Sequence, residues 1–471
     1  MDILLYIKKN TRFSKNDPPL ACISAPIIGG LYQMSSNPPD DMLRLARKSG
    51  KIFSIWFGDN YTVFINDPEL LEEVFIKNHD TFGDRPFVPS LRIVCDNFND
   101  LVLNDNDTWK PLRKFLDQSF TKTKLKALAP VIELQSNNLV NRLKEYSRSG
   151  EPVDPFPYLR KFTFSIIVKM VLNIDLAYEE EPNEGIMNTM FTPINELVKR
   201  IAQGAVFDTI HLLSGLYYHS IGKLLNKSLD SIRTIARNII KEHRETVDPK
   251  NTRDVLDLMI LAGYDDELML NVIFDMLIAG VETTASSLSW LTLLMVNHQE
   301  EQDNLRNELQ TKFPQWENIQ ATDRSGCTYT SAVIKESLRH RQLAPFSVPR
   351  IAKTDAWIGE YFVPKGTHIM GNLLAIHKNY FPDGEEFKPS RWLDDTSLNP
   401  VGQTKWVPFS LGPRVCVGYQ LAHDELFVAV SKMFHNFKIT SPDGSKLDET
   451  PAHGITVQPL HSHKYKFEIV N

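Results

Sequence analysis

The stretch from Met276 to Val296 constrains this chain more than any other, because over that whole length only one formal charge, Glu282, interrupts it. Such a run is either a membrane-spanning helix, which needs about 20 apolar residues, or a helix threaded through the core of a large globular protein. Its polar content favours the second. Thr283, Thr284, Ser286, Ser287, Ser289 and Thr292 accompany Glu282, and Asp265, Asp266 and Glu267 carry the helical pattern past any membrane thickness. With small residues, an acid and hydroxyls at its centre, this helix suits an apolar pocket furnished with a few placed polar groups.

A core able to enclose such a helix is within reach of 471 residues. At roughly 150 residues per domain this length suggests about three domains, although large single-domain enzymes also attain it. The 42% hydrophobic and 23% charged content is that of a globular chain, and a net charge of −6 argues against a nucleic-acid binder. Cys22, Cys95, Cys327 and Cys416 are too few and scattered for a disulfide framework and form no CxxC, which points to a reducing compartment. At the N-terminus the short apolar run Met1–Ile7 is broken by Lys8, Lys9 and Arg12, so neither a signal peptide nor a spanning helix is expected there.

Along the chain, Asp17 to Gly30 reads as a proline-stiffened linker, and the β-rich runs 52–58 and 61–66 flank a Gly58-Asp59-Asn60 turn as a hairpin. A short helix is expected over 68–78, and helical spacing dominates from about Thr108 to Phe313. After Cys327 come short strands at 357–363 and 367–370, an irregular stretch over 381–399 and a last helix near 419–436. The expected fold class is mainly α with a small β-rich portion. No repeat or long linker cuts the chain into independent domains.

Phe409-Ser410-Leu411-Gly412-Pro413-Arg414-Val415-Cys416-Val417-Gly418 places an arginine and a cysteine between two glycines, just ahead of the last helix. A cysteine at a helix N-terminus loses its proton more readily, and Gly412 and Gly418 allow a flat partner to approach the backbone. A lone cysteine is usually a buried, inert one, but this string resembles the haem-binding loop of the cytochrome P450 family, whose cysteine thiolate is the axial ligand of haem iron. Five fixed positions would match by chance in about one such sequence in ten thousand.

Other segments resemble the same family in the same order. Ala279-Gly280-Val281-Glu282-Thr283-Thr284 is similar to its oxygen-activation segment, Glu336-x-x-Arg339 to its E-x-x-R motif, and Phe387 to Trp392 to the meander that supplies Arg391. Trp109-x-x-x-Arg113, with Arg350 and Arg414, resembles the residues that meet the haem propionates. The resemblance implies one haem domain over 17–471 after a short segment 1–16, and haem b as cofactor. It implies that Phe409, Gly412, Arg414, Cys416 and Gly418 hold the haem, with Cys416 on the iron, and that Glu336, Arg339 and Arg391 form an ion-pair network behind it. Glu282 and Thr283 would relay protons. Departures are local: Pro18-Pro19-Leu20-Ala21 replaces a Pro-Pro-Gly-Pro string, His377-Lys378-Asn379-Tyr380 replaces His-Arg-Asp-Pro, and Trp392 stands where phenylalanine is usual.

The activity so implied is insertion of one atom of O2 into an apolar organic substrate, a lipid, sterol, terpenoid or xenobiotic. Ile278, Ala279, Thr283, Phe346, Ser347, Val348 and Ile455 would line the pocket, with 187–218 as its roof. Electrons would come from a flavin-containing NADPH-cytochrome P450 reductase or another donor, docked on Lys110, Arg113, Lys114, Lys122, Lys124 and Lys126. Two alternatives stand beside it: a haem-thiolate isomerase or dehydratase of lipid hydroperoxides, and a non-catalytic haem-binding sensor or carrier. The intact acid and threonine argue against both. The expected location is intracellular, peripheral to the endoplasmic reticulum membrane, with a cytoplasmic soluble protein as the alternative.

Overall fold

A computed structural model describes residues 9–11, 14–90, 99–204, 206–394, 405–454 and 456–470. The Met1–Ile7 segment, Cys95 and Ile455 therefore lie outside the described residues. The proline-stiffened entry does not run free: Ser54 N donates to Pro19 O at 2.8 Å and Ala21 N to Ser54 O at 2.9 Å, so it lies along the first strand. Helix α1 (Pro38–Ser49) starts under an Asn37 side-chain cap and ends at Gly50, whose φ of +88° a glycine adopts without penalty.

The expected hairpin is β1 (Ile52–Phe57) and β2 (Asn60–Ile65), paired antiparallel. Beyond it α2 (Pro68–Glu72), capped by Asp67, widens into a π-helical turn over Glu73–Lys77 where one regular helix was expected, before α3 (His79–Phe82). Later in the chain come β3 (Arg350–Ile351), the hairpin β4 (Ala356–Ile358) and β5 (Tyr361–Val363), and β6 (His368–Gly371). Of these, β6 and β3 complete a sheet of order β1-β2-β6-β3 in which β2 and β6 are parallel, bringing residues some 300 positions apart side by side, while β4 and β5 pair with each other as a separate two-stranded sheet.

Helices make up the larger part. They run through α4 (Asn106–Leu116), α5 (Lys122–Ser149), α6 (Phe156–Leu172), α7 (Thr192–Gly204), α8 (Val206–Thr209), α9 (His211–Thr246) and α10 (Val255–Leu261). The long apolar run lies within α11 (Asp266–Asn297), started by an Asp265 cap on Leu268 N. At 1.5 Å per residue its 32 residues span about 48 Å, beyond the ~30 Å of a bilayer core. Protein, not lipid, covers it: 78% of its most apolar window is buried among α6, α9 and the helices that follow. Those are α12 (Gln299–Lys312), α13 (Thr328–His340), α14 (Leu373–Asn379), the single turn α15 (Arg391–Asp394) and α16 (Tyr419–Asn436).

Short C-terminal strands close the core. In β7 (Phe437–Thr440), Ile439 exchanges hydrogen bonds with the buried amide of Gln302, at 2.8 and 2.9 Å, so a side chain substitutes for a neighbouring strand. Trp290, fully buried on α11, donates its indole N–H to Val457 O at 2.9 Å and anchors the segment between β8 (Pro451–Ala452) and β9 (Gln458–Pro459). The last strand, β10 (Lys466–Ile469), pairs with β7.

Candidate functional site

The cysteine loop is shaped by its own backbone. Cys416 N donates to Phe409 O at 3.1 Å, Val415 N to Gly412 O at 3.0 Å and Ser410 N to Val407 O at 3.0 Å, closing consecutive turns ahead of α16. Gly412 sits at φ +81°, and a Cβ there would lie 2.1 Å from the carbonyl oxygen of Phe75, so only glycine lets the loop press against the π-helical turn. Gly418 has Phe120 Cε1 as its nearest neighbour at 3.9 Å and leaves room beside the cysteine. Cys416 itself has accessible surface while protein surrounds its sulfur, so it faces an enclosed space. Burial pushes its thiol up, and neither the Gly418 N–H nor the charge of Arg113 overcomes that. The helix terminus alone therefore does not make this sulfur a thiolate; a metal cation on it would.

Next to this loop basic side chains gather; Asp84, Asp105 and Asp100 act on Arg414 only through space, and among the described residues its hydrogen bonds go to Asn104 O and the Asn106 side chain instead. Arg414 stacks on the Trp109 ring at 4.4 Å, Arg350 lies over Phe75 at 3.6 Å, and His79 is 5.8 Å from Trp109, ring to ring. All three are buried, and Nε and Nη1 of both arginines and both ring nitrogens of His79 have no hydrogen-bond partner among the described residues. Unpartnered buried donors each cost about 1–3 kcal/mol, more when charged. Burial, then the charge of Arg414, pulls Arg350 down to about 9, and burial brings Arg414 down to about 10. Arg113 lies 6.0 Å from the Trp109 ring and donates to Val415 O at 2.6 Å, fastening α4 to the cysteine loop.

This donor set fits a group that carries one metal ion and two carboxylates. Cys416 would hold the metal of a haem, and Arg350, Arg414, Trp109 and His79 would surround its propionates.

The middle of α11 is a second place where the core opens. Ala279 is exposed and Ile278, Gly280 and Thr283 are half-buried, although the turns on either side are buried, so this turn borders an internal opening. Helix α6 holds it from behind: a Cβ on Gly280 would meet Ile167 Cδ1 at 2.5 Å, and Thr163 Oγ1 donates to Val281 O at 3.1 Å. Thr283 donates its hydroxyl to Ala279 O at 2.5 Å. Glu282 is engaged elsewhere, accepting from Arg160 Nε and Nη2 at 2.9 and 2.8 Å and from Gln458. Of the other lining residues, Phe346 is half-buried, Val348 is exposed, and Ser347 is buried with its hydroxyl accepting from Gly371 N at 2.9 Å.

The charged triad is brought together completely. Glu336 accepts from Arg339 at 2.8 and 2.9 Å, from Arg391 Nε at 3.0 Å, from Lys388 N at 2.8 Å and from the Trp392 indole at 2.9 Å. Arg339 spends its remaining donors on the carbonyls of His377, Gly384 and Glu386, and Arg391 on those of Pro382 and Asp383. Trp392, the departure from phenylalanine, thus adds a donor to the carboxylate.

Four residues near the site escape a reading of the sequence. Arg85, half-buried and donating to Val102, Val348 and Pro349 carbonyls, feels the charges of Arg414 and Arg350. His79, Arg160 and Glu425 are the others; Glu425, buried on α16, hydrogen-bonds Thr284 of α11 and is pushed well up by burial. None sits in a recognisable local pattern, and only the Phe82-Gly83-Asp84-Arg85-Pro86 turn sequence hinted at a structured bend.

The chain as a whole is similar to known proteins. A family model described as Cytochrome P450 matches residues 18–467. Among curated proteins, "Probable cytochrome P450 508D1" of Dictyostelium discoideum is 34% identical, covering 98% of this chain and 95% of the relative. "Probable cytochrome P450 508A4" of the same organism is 32% identical over 94% and 92%. "Probable cytochrome P450 519E1", also from that organism, is 32% identical over 96% and 94%.

Proposed function

Because the chain belongs to the cytochrome P450 family, whose members are haem-thiolate monooxygenases, we propose that Cys416 is the iron ligand and that the opening beside Ala279 and Thr283 receives an apolar lipid, sterol, terpenoid or xenobiotic. The observation that carries the reading is the pairing of an enclosed cysteine with two buried arginines, Arg350 and Arg414, each of which keeps Nε and Nη1 without a partner among the described residues. When bound, haem b supplies thiolate-assisted cleavage of dioxygen. The protein's own residues do the rest. Arg350, Arg414 and Trp109 fix the orientation of the group, and Ile278, Ala279 and Phe346 keep the substrate side apolar. The Thr283 hydroxyl, half open to the site, passes protons inward. Glu282, one residue away, is held by Arg160 and Gln458, so its part in the relay requires that clasp to loosen.

Purified protein with a flavin-containing NADPH reductase and an apolar substrate that shifts the iron spin state tests this. NADPH consumption should match a product that carries one oxygen atom from O2, while in Thr283→Ala most of the same consumption should appear as hydrogen peroxide. Rearrangement of a hydroperoxide without NADPH would favour an isomerase instead, and an inert haem protein would favour a sensor or carrier.

Family members take electrons from a redox partner. Here we place its docking on the exposed Lys114, Lys122, Lys124 and Lys126, which border the cysteine loop through Arg113 and Phe120. Charge reversal at Lys122 and Lys124 is expected to slow reduction about tenfold at low salt and to flatten its salt dependence. Unchanged rates would exclude this surface.

An intracellular setting is consistent with the relatives. The finer reading, peripheral membrane contact, is supported by exposed Ile23, Ile27, Leu212 and Leu213. The hairpin turn draws their segments together, since Gly58 N donates to Ile28 O at 3.1 Å and Asp59 N to Thr209 O at 2.8 Å. Ile27→Asp combined with Leu212→Asp should abolish sedimentation with phospholipid vesicles; failure of the unaltered protein to sediment with them would favour the soluble alternative.

A further inference from the structure

His79 stands among the residues that would surround the propionates but has no chemical role in the reading so far, and its surroundings are unusual. It opens the short helix α3, is 94% buried, and packs its ring against Trp109 between Arg350 of β3 and Arg414 of the cysteine loop. Neither ring nitrogen has a hydrogen-bond partner among the described residues. A buried imidazole normally commits at least one nitrogen. The charged groups that face it are Arg350, Arg414, Lys110 of α4 and, on its own helix, Asp80; Lys110 is paired to Asp80 at 2.7 Å. Three of the four are cationic, and the open donors of Arg350 and Arg414 lie in the same nest.

We propose that His79 donates a ring N–H to a propionate of the haem and is the group that takes up a proton when the iron gains an electron. This rests on the haem-thiolate reading above. Burial first, then Arg350, Arg414 and Lys110, hold the imidazole down at about 4, against the weaker opposite pull of Asp80. Carboxylates seated on Arg350 and Arg414 cancel those two charges and move His79 upward. One electron from the redox partner adds negative charge beside it and moves it further, so the reduced site binds a solvent proton that the oxidised site does not. The balance is one electron to the iron and one proton from water to His79. Between the two protonation midpoints the reduction potential then falls with rising pH, by up to about 59 mV for each tenfold change in proton activity.

Two variants of the full-length haem-loaded protein separate the roles. His79→Gln keeps an N–H donor without a titration, and His79→Phe keeps a ring on Trp109 without a donor. Spectroelectrochemical titration from pH 5.5 to 8.5 should give a sloping potential for the unaltered protein and a flat one for His79→Gln. Haem transfer to an apomyoglobin acceptor should be about tenfold faster from His79→Phe than from the unaltered protein, with His79→Gln near the latter. A flat potential in the unaltered protein, the same slope in His79→Gln, or slow haem loss from His79→Phe would each overturn the inference while leaving the function intact. A chain that takes up no haem would overturn both.

Discussion

Replacing Glu336 by glutamine is expected to destabilise the fold by about 3–5 kcal/mol, the largest cost of any single neutral substitution considered. Glu336 and Arg339 are both 0% exposed, and Arg391 is also buried. Glutamine occupies the same volume but carries no charge, and its amide nitrogen meets donors where an oxygen now accepts. Two guanidinium groups would be left buried against carbonyls alone. Because Arg339 and Arg391 tie down the carbonyls of the 377–386 stretch, the damage extends to the wall behind the cysteine loop, and haem content should fall together with the denaturation midpoint. Trp392→Phe provides the calibration, since it removes a single hydrogen bond to the carboxylate and should cost about 1.5–3 kcal/mol. Chemical denaturation of the three proteins in parallel checks the order. Equal stability of Glu336→Gln and the unaltered chain would show that the network is not what holds this region.

The second large effect is chemical. Cys416→Ser should fold, because backbone hydrogen bonds from Val415 and Cys416 shape the loop and the side chain contributes none of them. It should nevertheless lose monooxygenase turnover by at least ~100-fold, since a serine hydroxyl neither ionises readily nor donates electron density as a thiolate does. Haem would still find the cations of Arg350 and Arg414, so partial retention with an altered spectrum is the expected outcome. Product formation at the unaltered rate would remove Cys416 from the reaction.

What the sequence made legible follows from the range of the forces involved. The α11 core helix, the β1–β2 hairpin, the cysteine loop and the span of α16 are all written in local pattern: apolar periodicity, turn residues, two glycines at fixed spacing. The mainly helical class with a small β-rich portion came from the same signals. The cation nest was only half visible. Arg350 and Arg414 stood in motifs, but His79 and Arg85 join them through packing between elements far apart in the chain, for which no local pattern exists. Glu336-x-x-Arg339 shows the reverse case. Its spacing is that of an ordinary surface pair on a helix, and only the wrapping of 382–392 over α13 makes it a buried site. The clasp of Glu282 by Arg160 and Gln458, separated by 122 and 176 residues, could not be foreseen from the acid and threonine alone.

The account turns on a thiolate from Cys416 bound to haem iron, and the carbon-monoxide difference spectrum of the reduced protein addresses that bond directly. A strongly red-shifted band, lost in Cys416→Ser, is the predicted result. A band at the unshifted position of a neutral ligand, or a red-shifted band that persists without Cys416, would contradict it.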